Sequence, residues 1–375
     1  MSTKIIDRNA INKDIELYVK PSNKFYNYNM IIDSINKIKT YLIKEKKVKP
    51  GQTIMILHGD LYLPWVYACA ELGIVLSVSH HLHFKNKELT DLVENLFKEI
   101  DFLVSDLKIL KELDMAITEY YKDCIDMNIS ETYSDTEFGD EIYATPESVL
   151  VKSISESDLE RHDLNPKIQY HTHMFVYDLL ERNVDILKIK NSDRFLHTYI
   201  LHHGPLFAEF FLPSIKYSKF HVWYTYKDII KITDYIFENN INRVSFLYTN
   251  NQLFEQNINK LTLSDRELNV LEKLDIHVIR PPTKDTVYNL VKNYSISYTI
   301  SFGTTVTAGP LLIHTVNKAD YQTYDSHKYE DPKDGFYNIT IVDSYLNVQL
   351  PDKTLVTTKD TFRITDNKFY YTGYK

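Results

Sequence analysis

The sequence predicts an α/β protein in which mixed or parallel sheets are wrapped by helices, with a small β-rich subdomain at the C-terminal end. Three observations predict it. Short apolar runs such as Thr53-Ile54-Met55-Ile56-Leu57 and Ile74 to Val78 read as strands buried on both faces. Stretches with apolar residues at helical spacing lie between such runs. From Phe336 onward the pattern changes to short β segments separated by turn residues.

After a polar leader, Met30 to Lys44 carries Ile31, Ile32, Ile35, Ile38, Leu42 and Ile43, the spacing of one helix face. Lys49-Pro50-Gly51 makes a turn before the strand at 53–57, and Leu63 to Gly73 reads as a helix closed by its glycine. The strand at 74–78, a helix over Leu89 to Phe97 and a strand over Asp101 to Ser105 continue the alternation. Residues 125–165 are acidic and rich in Ser and Thr, with Glu137, Asp140, Glu141, Glu156, Asp158 and Glu160. They read as a long surface connection, broken by the strand-like Ser148-Val149-Leu150-Val151. Helices are then expected over Thr172 to Leu187, Phe207 to Ile215, Asn250 to Leu261 and Asp285 to Lys292. Strands are expected over Arg194 to Tyr199, Phe220 to Trp223, Arg243 to Tyr248, His277 to Ile279 and Tyr298 to Phe302. In the tail, Tyr337 to Val342 and Phe369 to Tyr371 read as strands, with turns at Pro351-Asp352 and Asp366-Asn367. The expected division is a first α/β subdomain over 1–150, a second over 151–325 and the β-rich subdomain over 326–375.

Composition narrows the function classes. With 375 residues and 43% hydrophobic positions the chain can bury a sizeable core. A net charge of -8 gives no field that would draw in a phosphate backbone, so nucleic acid is not an expected partner. Val66 to Val78, interrupted by Glu71, falls short of the ~20 apolar residues of a membrane helix, and the N-terminus lacks an apolar signal region. The expected location is the cytoplasm, or the host cytoplasm if the chain is viral. Cys69 and Cys124 supply no disulfide framework or cysteine zinc site. Abundant Tyr, Ile, Lys and Asn read as pressure from an AT-rich genome, such as that of a phage or a low-GC bacterium. Only 9 glycines are present, where phosphate-cradling loops usually use several.

Five motifs in order carry a resemblance over roughly residues 25–375. They are Val48-Lys49-Pro50-Gly51-Gln52, leading through Ala68 and Ala70 to Gly73-Ile74; Asn165-Pro166-Lys167 with His171-Thr172-His173; and Asp193-Arg194-Phe195-Leu196 leading to His202-His203. Ser301-Phe302-Gly303-Thr304-Thr305 follows, then Thr358-Lys359-Asp360-Thr361-Phe362-Arg363 running on to Tyr371-Thr372-Gly373-Tyr374-Lys375. In this order and at these intervals the chain resembles the N-terminal core of the adenylate-forming, AMP-binding superfamily of acyl-CoA synthetase-like ligases.

The resemblance implies ATP or AMP as ligand and a carboxylic acid activated as its acyl-adenylate. It implies nucleotide contacts for Lys167, Thr305, Asp360 and Arg363, with Asp360 taking the ribose hydroxyls, and for Ser153 and Ser155 in the phosphate loop. It implies an acid pocket at His203, Phe207 and Phe302. Departures are visible too. The segment Lys152 to Asp158 has lost every loop glycine and gained Glu156 and Asp158, which repel a triphosphate. Arg280-Pro281-Pro282 replaces a glycine-rich adenine segment, and Val306 stands where the family has a Glu expected to hold Mg²⁺; valine cannot ligate a metal. Histidines at 80, 81, 83, 171, 173, 202 and 203 match no metal-ligand spacing, so no metal site is expected. The family's C-terminal domain, which supplies a catalytic Lys, is expected to be absent, leaving room for a partner protein that provides it. Two readings follow: an ATP-dependent acid ligase, or a catalytically inactive homologue serving as a binding or structural module in a larger assembly such as a phage particle. The departures favour the second for catalysis.

Overall fold

The computed structural model describes residues 4–20, 22–56, 62–78, 100–105, 124–154, 168–198, 207–224, 228–246, 248–279, 282–304 and 307–374. They fall into two compact units, Met1–Glu181 with Ile200–Lys216, and Arg182–Tyr199 with Tyr217–Lys375.

The first unit opens with a hairpin, β1 (Glu16–Lys20) and β2 (Lys24–Asn27), inside the stretch that reads as a polar leader. Helix α1 (Tyr28–Lys44) starts earlier than its apolar pattern because the Asn27 side chain accepts the Met30 N–H and caps it. Its buried stripe is Ile31, Ile35, Ile38 and Leu42. β3 (Thr53–Ile56), the wholly buried α2 (Tyr62–Glu71) and β4 (Val75–Val78) follow as expected. Gly73, at φ +67, ends α2 in the left-handed conformation that glycine adopts at no steric cost. β5 (Phe102–Ser105), β6 (Ile125–Asp126), β7 (Val149–Ile154) and β8 (Ile168–Thr172) complete a sheet in the order β6-β5-β3-β4-β7-β8. Its strand pairs are parallel except β7 with β8. The helix expected over Leu89 to Phe97 lies outside the described residues.

The acidic connection is better anchored than its composition suggests. After the short helix α3 (Ile129–Thr132) it crosses α1, where Lys44 Nζ reaches Asp135 at 2.6 Å and also pairs with Glu137. The Gly139 carbonyl accepts from Lys39 Nζ at 2.8 Å and Arg8 Nη2 at 2.5 Å. A Cβ on Gly139 would lie 2.7 Å from the Asn36 side chain, so this crossing needs glycine. Beneath it sits a buried ion cluster: Glu71 takes Arg8 Nε at 2.7 Å and Lys39 Nζ at 2.5 Å. Because β7 pairs with β4, the residues after 150 stay with the first sheet, and the division between units falls at 181/182. Helix α4 (His173–Ile186) spans that division; the segment expected as one helix over 207–215 is a π-helical turn, Phe207–Phe211, followed by α5 (Leu212–Tyr217). Pro213, which has no N–H to donate, falls at this change.

In the second unit β9 (Arg194–His197), β10 (Phe220–Tyr224), β11 (Arg243–Phe246), β12 (Asp275–Val278) and β13 (Ser297–Gly303) are parallel, and β14 (Pro310–Val316) lies antiparallel to β13. The order within the unit is β14-β13-β12-β11-β9-β10. Helices α6 (Ile229–Glu238), α7 (Tyr248–Ile258), α8 (Asp265–Glu272) and α9 (Lys284–Tyr294) connect the strands. The β-rich end is an antiparallel sheet of β15 (Lys328–Tyr329), β16 (Asn338–Val342), β17 (Tyr345–Gln349), β18 (Leu355–Thr365) and β19 (Lys368–Tyr374), in the order β15-β19-β18-β17-β16. Asp366 and Asn367, at φ +51 and +58, form the β18–β19 turn at the expected place.

Candidate functional site

Strand register gives the sheet of the second unit two different faces. Leu196, Val222, Val244, Ile276 and Tyr298 occupy one level of the apolar face. The opposite face carries His221, His197, Arg243, Ser245, Asp275, His277, Thr299 and Ser301. Buried polar groups must be hydrogen-bonded, and these are. Arg243 Nε lies 3.4 Å from Asp193 and its Nη1 pairs with Asp275, which accepts from Thr299 Oγ1 at 3.1 Å. His197 Nε2 and His221 Nδ1 are 3.1 Å apart, and His221 Nε2 meets the Ser218 carbonyl at 3.2 Å. Burial lowers the pKa of both rings, that of His221 to about 4, so the pair is neutral near pH 7. Ser301 Oγ lies 3.5 Å from His277 Nε2. This weak bond between fully buried partners ties β12 to β13; it does not activate a nucleophile.

Ligands of open α/β sheets bind beyond the carboxyl ends of the parallel strands. At that end of β13 stand Phe302, Gly303 and Thr304. The Phe302 ring is 5.0 Å from Phe362, 5.8 Å from Tyr329 and 5.9 Å from Tyr371, an aromatic cluster that holds β18 and β19 against β13. Asp360, half-buried, lies two positions before Phe362 in a stretch of β18 where the register with β17 and with β19 shifts. Its N–H donates to Thr358 Oγ1 at 3.2 Å. Arg363 pairs across from Tyr370 of β19, with its guanidinium 5.3 Å from that ring.

The connection from β13 to β14 is held from outside. A Cβ on Gly303 would meet the Gly309 carbonyl at 2.3 Å, so glycine is required for the close approach. Thr307 Oγ1 accepts from the Thr304 N–H at 3.0 Å and lies 2.9 Å from the Thr304 carbonyl and 3.0 Å from that of Gly309. The Tyr337 hydroxyl donates to the Thr307 carbonyl at 2.8 Å, and Arg182 Nη1 to that of Pro310 at 2.6 Å. Arg182 also pairs with Asp334 at 2.6 Å and lies 4.8 Å from the Tyr337 ring centre. Sequence reasoning missed Tyr337 and Arg182, which act across a long sequence separation, and Thr307, which bonds to Thr304 and Gly309 close by in sequence.

Of the residues singled out from sequence, Phe302 packs against Phe362 of β18, the strand that also carries Asp360 and Arg363. Phe207 and Ser153 belong to the first unit. Phe207 is buried with its ring 6.0 Å from Phe211, and Ser153 lies in β7 between Val78 of β4 and Gln169 of β8. Lys167, Ser155, His203 and Thr305 lie outside the described residues, as do Val306, Glu156, Asp158, Arg280 and Pro281. His173 is buried, accepting the Ile6 N–H on Nδ1 at 3.2 Å, and its pKa is lowered by burial to about 4. Among the described residues no group of three or more His, Cys, Asp or Glu could hold a metal ion. No described helix is long and apolar enough to cross a membrane.

No family model matches the sequence, and no curated protein matches it. Solved structures do match by fold. The complex of o-succinylbenzoate coenzyme A synthetase from Bacillus subtilis with ATP and magnesium ion superposes with a TM-score of 0.77 at 14% identity, over 97% of this chain and 78% of that one. The fold is that of adenylate-forming enzymes. McyG A-PCP complexed with phenylalanyl-adenylate matches with a TM-score of 0.78 at 15% identity, over 100% of this chain and 77% of that one. The adenylation domain of a keto acid-selecting NRPS module, bound to keto acyl adenylate, matches at 0.78 and 12% identity, over 98% and 81%. At such identities the adenylate-forming likeness concerns the backbone architecture, and side-chain roles must stand on the residues present.

Proposed function

We propose that this chain binds an adenine nucleotide and a carboxylic acid and joins them as an acyl-adenylate. In that reaction a carboxylate oxygen attacks the α-phosphorus of ATP, the bond from that phosphorus to the bridging oxygen breaks, and pyrophosphate leaves with the electron pair. The observation that carries the reading is the contact between Phe302 and Phe362, which packs β18, the strand that carries Asp360, against β13. A carboxylate there is suited to accept two hydrogen bonds from a ribose diol. The roles carried by resemblance for Lys167, Ser153, Ser155 and Thr305 with the nucleotide, and for His203, Phe207 and Phe302 with the acid, are part of the proposal. Arg363, whose guanidinium lies against the Tyr370 ring, is expected to contribute less than Asp360.

A second reading, nucleotide binding without turnover, is favoured by Val306 and by Glu156 and Asp158 in the loop expected to hold phosphates. Calorimetric titration with AMP, adenosine and ATP with Mg²⁺, together with pyrophosphate exchange over a panel of carboxylic acids, separates the two. Binding and exchange that both disappear in Asp360→Ala support the ligase. Binding without exchange supports the second reading, and no binding at millimolar nucleotide overturns both.

A further inference from the structure

A groove in the first unit has no role in the chemistry above. Three elements form it: β2 gives Lys24, Phe25 and Tyr26, α1 gives Met30, and α3 gives Ser130 and Glu131. Its volume is about 290 Å³. Tyr26 is buried, while Phe25 is 40% and Met30 44% exposed, so two large apolar side chains of the wall stand open to water. Covering them would add the burial that draws apolar groups together. Ser130, by contrast, is only 5% exposed, and its hydroxyl has no hydrogen-bond partner among the described residues. A buried hydroxyl in that condition costs free energy, because it has given up water without gaining a replacement. The Lys24 ammonium and the Glu131 carboxylate pair with each other, so their charges offset.

We propose that this groove binds a small uncharged aromatic compound bearing one hydroxyl, with the ring against Phe25, Tyr26 and Met30 and the hydroxyl on Ser130. Each part of that description answers a feature of the groove. A cavity of about 150 Å³ holds benzene, so about twice that volume accommodates one substituted ring. Rings pack favourably on Phe25 and Tyr26 and on the Met30 thioether. The Ser130 hydroxyl can both donate and accept, and a turn to another staggered rotamer carries it from its covered position toward the ligand. An ionised ligand would find each counter-charge at the groove already matched. The site is separate from the nucleotide reading, since its residues lie in the first unit and none is assigned to the nucleotide or the acid.

Calorimetric titration of the full chain with p-cresol, toluene and 4-methylbenzoate tests the assignment. The p-cresol is expected to bind saturably at millimolar concentration, and more tightly than the other two. Ser130→Ala is expected to weaken p-cresol roughly 2- to 10-fold, the effect of one hydrogen bond, and to leave toluene within about twofold. Met30→Glu, at an exposed position of α1, puts a charge on the apolar wall and is expected to abolish binding of both. The unliganded chain supplies a second readout. Because Ser130→Ala removes a hydroxyl without a partner, its urea midpoint is expected to stay unchanged or rise. No saturable p-cresol binding at millimolar concentration overturns the proposal. So does binding that survives Met30→Glu, or a parent chain that binds toluene or 4-methylbenzoate as tightly as p-cresol. A Ser130→Ala midpoint that falls, as the loss of a satisfied hydrogen bond requires, overturns it as well.

Discussion

At the scale of single residues, the most consequential side chain outside the candidate site is Glu71. Burial disfavours its charge, yet hydrogen bonds from Arg8 and the neighbouring Lys39 hold its pKa below the usual carboxylate range. It is the anion against which the N-terminal segment, α1 and α2 are all fastened. Replacing it uncovers two buried cations at once, and breaking a buried ion pair from one side typically costs about 3–5 kcal/mol. Glu71→Gln is therefore expected to lower the urea midpoint sharply, by an amount in that range. A loss under about 1 kcal/mol would mean that Arg8 and Lys39 find solvent when released. Nothing in the sequence marks Glu71 beyond its place in an apolar stretch, where it looks like an interruption; the partners that explain it lie far away along the chain.

At the scale of elements, what was legible followed from local pattern. Helices α1, α2, α7 and α9, strands β3, β4 and β5 and strands β9 to β13 all lie close to their expected places because each buries a continuous run or stripe. Helix α8 was not found, since only Val270 and Leu271 are buried in it and its apolar pattern is thin. Its signal was the capping box, with Ser264 accepting the Glu267 N–H and Glu267 reaching back to Ser264. Ser264→Ala is expected to cost about 1 kcal/mol, read as a lower thermal or urea midpoint. Glu267→Gln, which can still close the box, should cost less. The hairpin of β1 and β2 was missed because neither strand carries a long apolar run. Strands β8 and β14 were missed; each is the antiparallel partner of the strand just before it in the sequence.

At the scale of the whole molecule, buried neutral histidines tie stability to pH. His173 in the first unit and His221 in the second each have a folded pKa of about 4 against an ordinary 6.5. The unfolded chain takes up these protons below pH 6.5 and the folded chain does not until about pH 4. Stability from this source is complete above pH 6.5 and falls as pH drops through that window. At about 1.36 kcal/mol per pKa unit, each histidine costs roughly 2 kcal/mol between pH 7 and pH 5. Urea unfolding at pH 7, 6 and 5 should show midpoints falling together with pH; a flat profile would show that the rings are already solvated or charged in the folded state.

The sequence by itself determined the class and order of the elements and the family-like spacing around Asp360 and Phe302, because burial on a strand or helix leaves a local periodic trace. It also carried the substitutions that bear on chemistry, Val306 and the acidic residues before Pro166, because those are matters of residue identity. Tertiary structure alone decided that β7 and β8 complete the first sheet, that Phe302 packs against Phe362, and that Tyr337 and Arg182 bond to the Thr307 and Pro310 carbonyls. These depend on strand pairing and on contacts between residues far apart in the chain, and a long-range hydrogen bond leaves no periodic trace in either of the segments that it joins.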